Sequence, residues 1–388
     1  MNYFRDLLLS LLVAMVALSS CRKEEEIIPS SRVRVGVPGR PGKIKGFFLL
    51  NEANMGSNKA TLDYYDYTTA FYTRNIYAER NPNVVKELGD VGNDLQIHGS
   101  RLYAVINVSG LIEVMDVRTA KHIGKLSIPN CRYIAFKDGF AYVSSYAGPV
   151  KIDPNARLGY VAKVDTATLK VVAECPVGYQ PEELLIHGDK LYVANSGGYR
   201  APNYDKTISI IDLKTFTEEK QVDVAINLHR LQLDNYGKIW ASSRGDYKGV
   251  PSRLFVFDPK TKRVTKTLEV ACSNMAVSGD SLFVYSSEWS YLTGKNTISY
   301  TVIDTKKQEV IDRNFIKDGT DKEIQLPYGL AINSEQGELY LTDAQDYVHP
   351  GQLHCYDLKT GRRKWSVKTG DIPAHIAFTT QPLHPLHH

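Results

Sequence analysis

Seven aspartates punctuate the chain. Asp66, Asp116, Asp165, Asp212, Asp258, Asp304 and Asp357 follow one another at intervals of 46 to 53 residues, and six have a threonine three positions on (Thr69, Thr119, Thr168, Thr215, Thr261, Thr360). An aspartate that opens a turn accepts hydrogen bonds from the amides just after it, so Asp-x-x-Thr is turn chemistry and not a ladder of metal ligands. Each aspartate ends an apolar strand, as in Thr207-Ile208-Ser209-Ile210-Ile211. That strand is preceded by a tight turn and an apolar-aromatic strand, as in His187-Gly188-Asp189-Lys190-Leu191-Tyr192 or Lys137-Asp138-Gly139-Phe140-Ala141-Tyr142. A further strand lies before the tight turn (Leu95-Gln96-Ile97, Met275-Ala276-Val277) and a fourth after the aspartate (His122 to Leu126, Val264 to Leu268). One such unit cannot bury its own apolar face, and stacking the units around an axis hides nearly all their edges. The pattern predicts an all-β chain: a seven-bladed β-propeller of four-stranded antiparallel blades. Phe47 to Leu50 lacks a strand before it and Ile376-Ala377-Phe378 lacks one after it, so the ring is expected to close by a blade made of strands from both termini.

The N-terminus reads as an export address. Arg5 is followed by an apolar run from Leu7 to Leu18, too short to span a bilayer and suited to a signal peptide. Leu18-Ser19-Ser20-Cys21 resembles the lipobox of bacterial lipoproteins, which implies lipidation of Cys21, removal of residues 1–20 and a lipid anchor in the membrane. The charged Arg22-Lys23-Glu24-Glu25-Glu26 is similar to the signal that sends Bacteroidetes lipoproteins to the cell surface. Residues 21–45, rich in Pro, Gly, Ser and Arg, are expected to be a flexible linker. The propeller is assigned to 46–380, and 381–388, with three histidines, to a disordered tail.

The loops of the two faces differ. Those joining the second and third strands are long and aromatic: Tyr146 to Leu158, Ser196 to Lys206, Arg244 to Ser252, Glu288 to Asn296 and Ala344 to Gly351. The opposite turns are short, charged and alike, and binding residues concentrate on loops held by a rigid scaffold. Connections between blades converge on the axis with Asp94, Arg132, Tyr133, Glu182, Glu183, His229, Arg230, Asn274, Tyr328 and His375. These could ring a polar ligand, or pair with one another to satisfy a polar channel. The candidate ligand-binding set is Arg132, Tyr133, Tyr146, Tyr199, Tyr204, His229, Arg230, Arg244, Tyr247, Asn274, Trp289, Tyr291, Tyr328, Tyr347 and His375.

Leu191-Tyr192-Val193-Ala194-Asn195-Ser196 with Ile208-Ser209-Ile210-Ile211-Asp212 resembles the YVTN-type propeller repeat of bacterial and archaeal surface proteins. Leu50-Asn51-Glu52-Ala53-Asn54, Cys131-Arg132-Tyr133-Ile134 and Leu341 to Tyr347 resemble Bacteroides surface-lipoprotein propellers, among them those that capture cobalamin and pass it to a TonB-dependent outer-membrane transporter. The resemblance implies a lipoprotein facing outward from the outer membrane, with a corrinoid as ligand and that transporter as partner. No further cofactor is expected. The alternatives are a glycan- or protein-binding surface propeller and a lactonase-like hydrolase using Glu182, Glu183, His229 and His375.

Against catalysis, the chain lacks His-Glu-x-x-His, Gly-x-Ser-x-Gly and a phosphate-cradling glycine loop, so neither a catalytic nor a metal set is expected. Cys131, Cys175, Cys272 and Cys355 have no paired spacing and read as buried thiols. A net charge of +4 on an exported chain makes nucleic acid an unexpected partner.

Overall fold

A computed structural model of the protein describes residues 30–84, 87–290 and 295–385. Its strands, β1 to β29 in chain order, form seven sheets. Blade 1 runs outward from the axis as β5 (Gly92–His98), β6 (Arg101–Ile106), β7 (Leu111–Asp116) and β8 (His122–Ser127). The innermost strands of blades 2 to 6 are β9 (Cys131–Lys137), β13 (Pro181–His187), β17 (Leu228–Leu233), β21 (Asn274–Ser278) and β25 (Pro327–Asn333), each followed outward by three more.

Burial follows distance from the axis. Second strands such as Arg101–Ile106 are covered on both faces by neighbouring blades, which explains why they read as unbroken apolar runs. Outermost strands such as β16 (Thr217–Asp223, TEEKQVD) are polar and mostly exposed. The apolar clusters lie between blades: Leu50, Leu62 and Tyr64 pack on Leu102, Ala104 and Ile106, and Val105 and Ile112 pack on Ile134 and Val143.

The seventh blade closes the ring as expected. Its inner strand is the C-terminal β29 (Pro373–Thr379), followed by β2 (Gly46–Asn51), β3 (Thr61–Asp66) and β4 (Phe71–Arg74), with Phe47 opposite Phe378 and Leu49 opposite Ile376. Phe47, Phe48, Leu49 and Leu50 are fully buried, each worth ~1.5–3 kcal/mol of transfer free energy. The aspartate turns are as read. Asp116 Oδ1 accepts from the amides of Arg118 (2.9 Å) and Thr119 (3.0 Å) and from Thr119 Oγ1 (3.1 Å), and Asp165, Asp212 and Asp357 repeat the arrangement.

Three segments differ from expectation. Ser31–Arg34 is not linker but a fifth strand, β1, paired with β4; Val35 is buried behind it, and Gln336 holds Arg40 through its backbone. Pairing with an open sheet edge satisfies a backbone whose side chains alone give no reason to order. The tail is docked as far as Pro385: Leu383 joins the core beside Tyr64, and the amide of His384 donates to Arg118 O at 2.7 Å. Residues 288–290 and 295–296, read as loop, are instead strand, since β22 (Ser281–Ser290) and β23 (Lys295–Asp304) stay in register out to Ser290 and Lys295. Residues 1–29, with Cys21 and the export segment, and Tyr291 lie outside the described residues.

Candidate functional site

On the face of the long loops, most inner strands carry a β-bulge at the top of the channel. In four of them two inner-strand residues oppose one on the second strand: Arg132 and Tyr133 face Ser144, Glu182 and Glu183 face Ala194, His229 and Arg230 face Ser242, and Tyr328 and Gly329 face Thr342. Single extra residues, Asn93 and Ala374, do the same in β5 and β29. A bulge bends a strand and re-aims its side chains, so two successive residues can approach the axis where a regular strand would send them to opposite sides. The hydroxyl opposite the bulge fills the gap. Ser144 Oγ accepts from the Tyr133 amide (3.1 Å) and donates to Glu182 O (2.8 Å), and Thr342 Oγ1 accepts from the Gly329 amide (2.6 Å) and donates to Pro373 O.

Of these bulge residues Asn93, Arg132, Tyr133, His229, Arg230, Tyr328 and Ala374 line a cavity of about 920 Å³. Its floor is an interlocked ionic network. Glu182 is fully buried: Oε2 receives Nε (3.1 Å) and Nη2 (2.9 Å) of Arg132, and Oε1 receives Arg244 Nη1 (3.1 Å) and the Tyr146 hydroxyl. Burial alone would push this carboxyl up, but Arg132 and Arg244 outweigh it and hold it below its ordinary value. Glu183 accepts from the Leu231 amide at 2.7 Å, tying blade 3 to blade 4, and lies 3.3 Å from Arg230 Nε; here burial prevails and the carboxyl is raised. Asp94 ties blade 1 to blade 2 in the same way, through the Ile134 amide (3.0 Å). Tyr133 Oη meets His229 Nε2 at 3.0 Å and Arg230 Nη1 at 3.2 Å, and burial pushes its hydroxyl up to about 12. Burial, with Arg244, Arg230 and Arg132 around it, drives His229 far below its ordinary value, so the ring is neutral, and its Nδ1 has no hydrogen-bond partner. Across the channel Glu52 accepts from Tyr328 Oη (2.7 Å) and lies 3.1 Å from His375 Nε2.

The rim is aromatic. Tyr199, Tyr247, Trp289 and Tyr347 all line the cavity and expose 37%, 59%, 55% and 42% of their surface, unusual for side chains of this size. Tyr247 (φ 59°) and Tyr347 (φ 66°) are held in the left-handed region that bulky residues avoid. Each follows an aspartate that fixes the turn: Asp246 accepts from the amides of Lys248, Gly249 and Val250, and Asp346 from those of Val348 and His349.

Of the sequence candidates, Arg132, Tyr133, Tyr199, His229, Arg230, Arg244, Tyr247, Asn274, Trp289, Tyr328, Tyr347 and His375 line this one cavity. Tyr146 does not: it is buried behind the wall, its ring 4.9 Å from the Arg132 guanidinium and its hydroxyl on Glu182. Tyr204 is outside the lining. The lining also takes in Glu52, Asn54, Asn93, Asn107 and Tyr285, which the sequence reading did not single out as ligand-binding residues. Glu52 and Asn54 follow the second strand of their blade, where Tyr199 and Tyr247 stand in theirs, so the repeat register alone could have found them.

The arrangement provides donors, acceptors and stacking surfaces. The carboxylates nearest the axis are engaged by protein groups. Among the described residues no cluster of three or more His, Cys, Asp or Glu side chains could hold a metal ion. Burial pushes the Cys131 and Cys272 thiols up to about 12, and all four described cysteines are buried and free.

No curated protein matches the sequence. Among solved structures, hydrazine synthase of Kuenenia stuttgartiensis is similar over 69% of this chain and 77% of its own, with a TM-score of 0.57 and 19% identity, a likeness of fold alone. The model of the family described as "Domain of unknown function (DUF5074)" matches residues 45–379, which is the whole ring from β2 to β29, and the chain belongs to that family.

Proposed function

We propose that this propeller is a capture protein: a lipoprotein at the outer face of the outer membrane that binds a corrinoid, cobalamin, in the cavity of its loop face and delivers it to a TonB-dependent outer-membrane transporter. The observation that carries the reading is the combination of a wide axial cavity, four exposed aromatic rings on its rim and a hydrogen-bonding floor. At about 920 Å³ it reaches the upper end of small-molecule sites, ~300–1,000 Å³. A corrin has broad apolar faces and a fringe of amides, which calls for rings around it and donors and acceptors below.

Magnitudes assign work to both parts. Covering half of each of the four rings, on the order of 400 Å² in all, is worth ~10 kcal/mol at ~25 cal/mol/Å². Association costs ~4–15 kcal/mol, so the rings alone give weak binding and the polar floor must supply the surplus. The same floor favours binding over turnover. Glu182 spends both oxygens on two arginines and a tyrosine, and Glu183 secures a neighbouring strand, which leaves neither as a free base.

Spectrophotometric titration of the purified propeller with cyanocobalamin tests the proposal. Binding below micromolar concentration is expected, weakened about tenfold by Trp289→Ala or Tyr199→Ala, as for aromatic residues that anchor an interface. An unchanged spectrum at micromolar protein and ligand would overturn it, and glycan binding found instead would assign the rings to sugar stacking.

A further inference from the structure

The cavity is electrically lopsided. Blades 2 and 4 bring Arg132, Arg230, Arg244 and Lys248 to its lining, whereas blades 1 and 7 bring Asn93, Asn107, Asn54 and Glu52, and blade 5 adds one carboxylate, Glu288, on β22. The carboxylates that answer the arginines do not line it: Glu182 and Glu183 stand behind the guanidiniums, and Asp94 is turned to backbone amides. The three guanidiniums therefore line the cavity while the carboxylates that balance them, Asp94 acting on Arg230 among them, stand behind, so this wall presents its positive side to the cavity. Burial first, and then all three arginines, oppose protonation of His229 in their midst.

Donor capacity is also left over. A guanidinium has five N–H groups. Glu182 takes bonds from Nε and Nη2 of Arg132 and from Nη1 of Arg244, and Tyr133 Oη takes Nη1 of Arg230. Arg230 Nε, although 3.3 Å from Glu183 Oε2, is not aligned for a hydrogen bond. Packing against Tyr133 and Tyr146, at 4.9 to 6.0 Å from the ring centroids, fixes the guanidinium planes of Arg132 and Arg230 before any ligand arrives, and Glu182 holds that of Arg244. Pre-placed planar donors at a positive wall are what recognition of a phosphate or carboxylate requires.

We infer that the ligand carries an anionic group, phosphate or carboxylate, that seats against Arg132, Arg230 and Arg244, while its body lies under the rim aromatics toward the asparagine side. This rests on the reading of the cavity as a ligand site and gives the ligand a polarity: anionic end toward blades 2 to 4, amide or hydroxyl end toward blades 1 and 7. For a corrinoid, the group is the phosphodiester of the nucleotide loop.

Two pairs of probes separate this inference from the corrinoid reading. The first compares anilinonaphthalene sulfonate with uncharged phenylnaphthylamine by fluorescence titration of the full propeller. The anionic dye is expected to bind about tenfold more tightly, to lose that advantage in high salt, and to lose it also in Arg244→Gln, as a charge-assisted contact should. Salt dependence is read on the unaltered protein, so the test stands even if the variant folds poorly. The second compares cobalamin with cobinamide, which lacks the phosphate-bearing nucleotide, and expects cobalamin to bind at least about tenfold more tightly. Equal, salt-independent dye affinities would overturn the inference, as would equal affinities for the two corrinoids. A dye preference with no binding of either corrinoid would leave the anion seat standing and remove the corrinoid.

Discussion

His354 is buried on β27 (Pro350–Asp357), with Nδ1 2.7 Å from Ser366 Oγ and Nε2 without a hydrogen-bond partner. Burial lowers its pKa to about 4, against ~6.5 in the unfolded chain. Between these values the unfolded state binds the proton and the folded state does not, so the stabilising contribution is complete above pH ~6.5 and is lost as pH falls toward 4. The shift corresponds to a loss of about 3 kcal/mol, at ~1.4 kcal/mol per pH unit. Urea unfolding at pH 7, 5.5 and 4 is therefore expected to be steeper in pH for the native chain than for His354→Asn. Parallel curves would show that His354 takes up its proton as readily in the folded protein as in the unfolded chain. Burial also explains which aromatic residues the sequence revealed. Tyr146, like Tyr247 and Tyr347, stands in a Gly-containing stretch, yet it is buried because Glu182, 36 residues on, needs its hydroxyl. Nothing local to Tyr146 marks that partner.

At the scale of the strand, the bulges are the device that makes a site out of a repeat. The doublets Arg132-Tyr133, Glu182-Glu183 and His229-Arg230 stand out in the sequence as polar pairs heading apolar strands, so their convergence was legible. The bulge was not, because it depends on how the second strand pairs, and the residue opposite it is a single small one, Ser144, Ala194 or Ser242. Gly329 tests the geometry. A Cβ there would lie 2.3 Å from Ala374 O and 2.9 Å from Thr342 Oγ1, so the close approach of β25 to the closing strand requires glycine. Gly329→Ala is expected to cost about 1–3 kcal/mol, the usual penalty of overpacking. Gly249→Ala, with nothing within 4 Å of its Cβ, is the control and should leave the thermal midpoint unchanged. Equal midpoints for both variants would mean that blades 6 and 7 are not held by this bulge. The same dependence on pairing hid β1 and the docked tail: Ser31–Arg34 carries no apolar pattern and is ordered only because β4 offers an edge.

For the molecule as a whole, the period of the aspartate turns gave the number of blades, because each unit repeats the same local chemistry, and the unpartnered strands at Phe47 to Leu50 and Ile376 to Phe378 gave the mode of closure. The polarity of the cavity was not legible, since it arises from pairs far apart in sequence: Arg132 with Glu182 across 50 residues, Tyr133 with Arg230 across 97. Those pairs exist only in the closed ring, so the site and the closure stand or fall together. Ending the chain at Ile372 removes β29 and with it the partner of Phe47 and Leu49, the cover of Tyr340 and the His375 that meets Glu52. Four of the residues thereby uncovered are fully buried apolar side chains of β2, worth ~6–12 kcal/mol together, comparable with the ~5–15 kcal/mol that stabilises a typical domain. The truncated chain is expected to lose its near-ultraviolet circular dichroism and its single cooperative thermal transition, whereas a chain ending at Pro385 keeps both. Retention of a sharp transition after truncation would mean that the ring closes without β29, and the anchoring of the cavity in that closure would have to be abandoned.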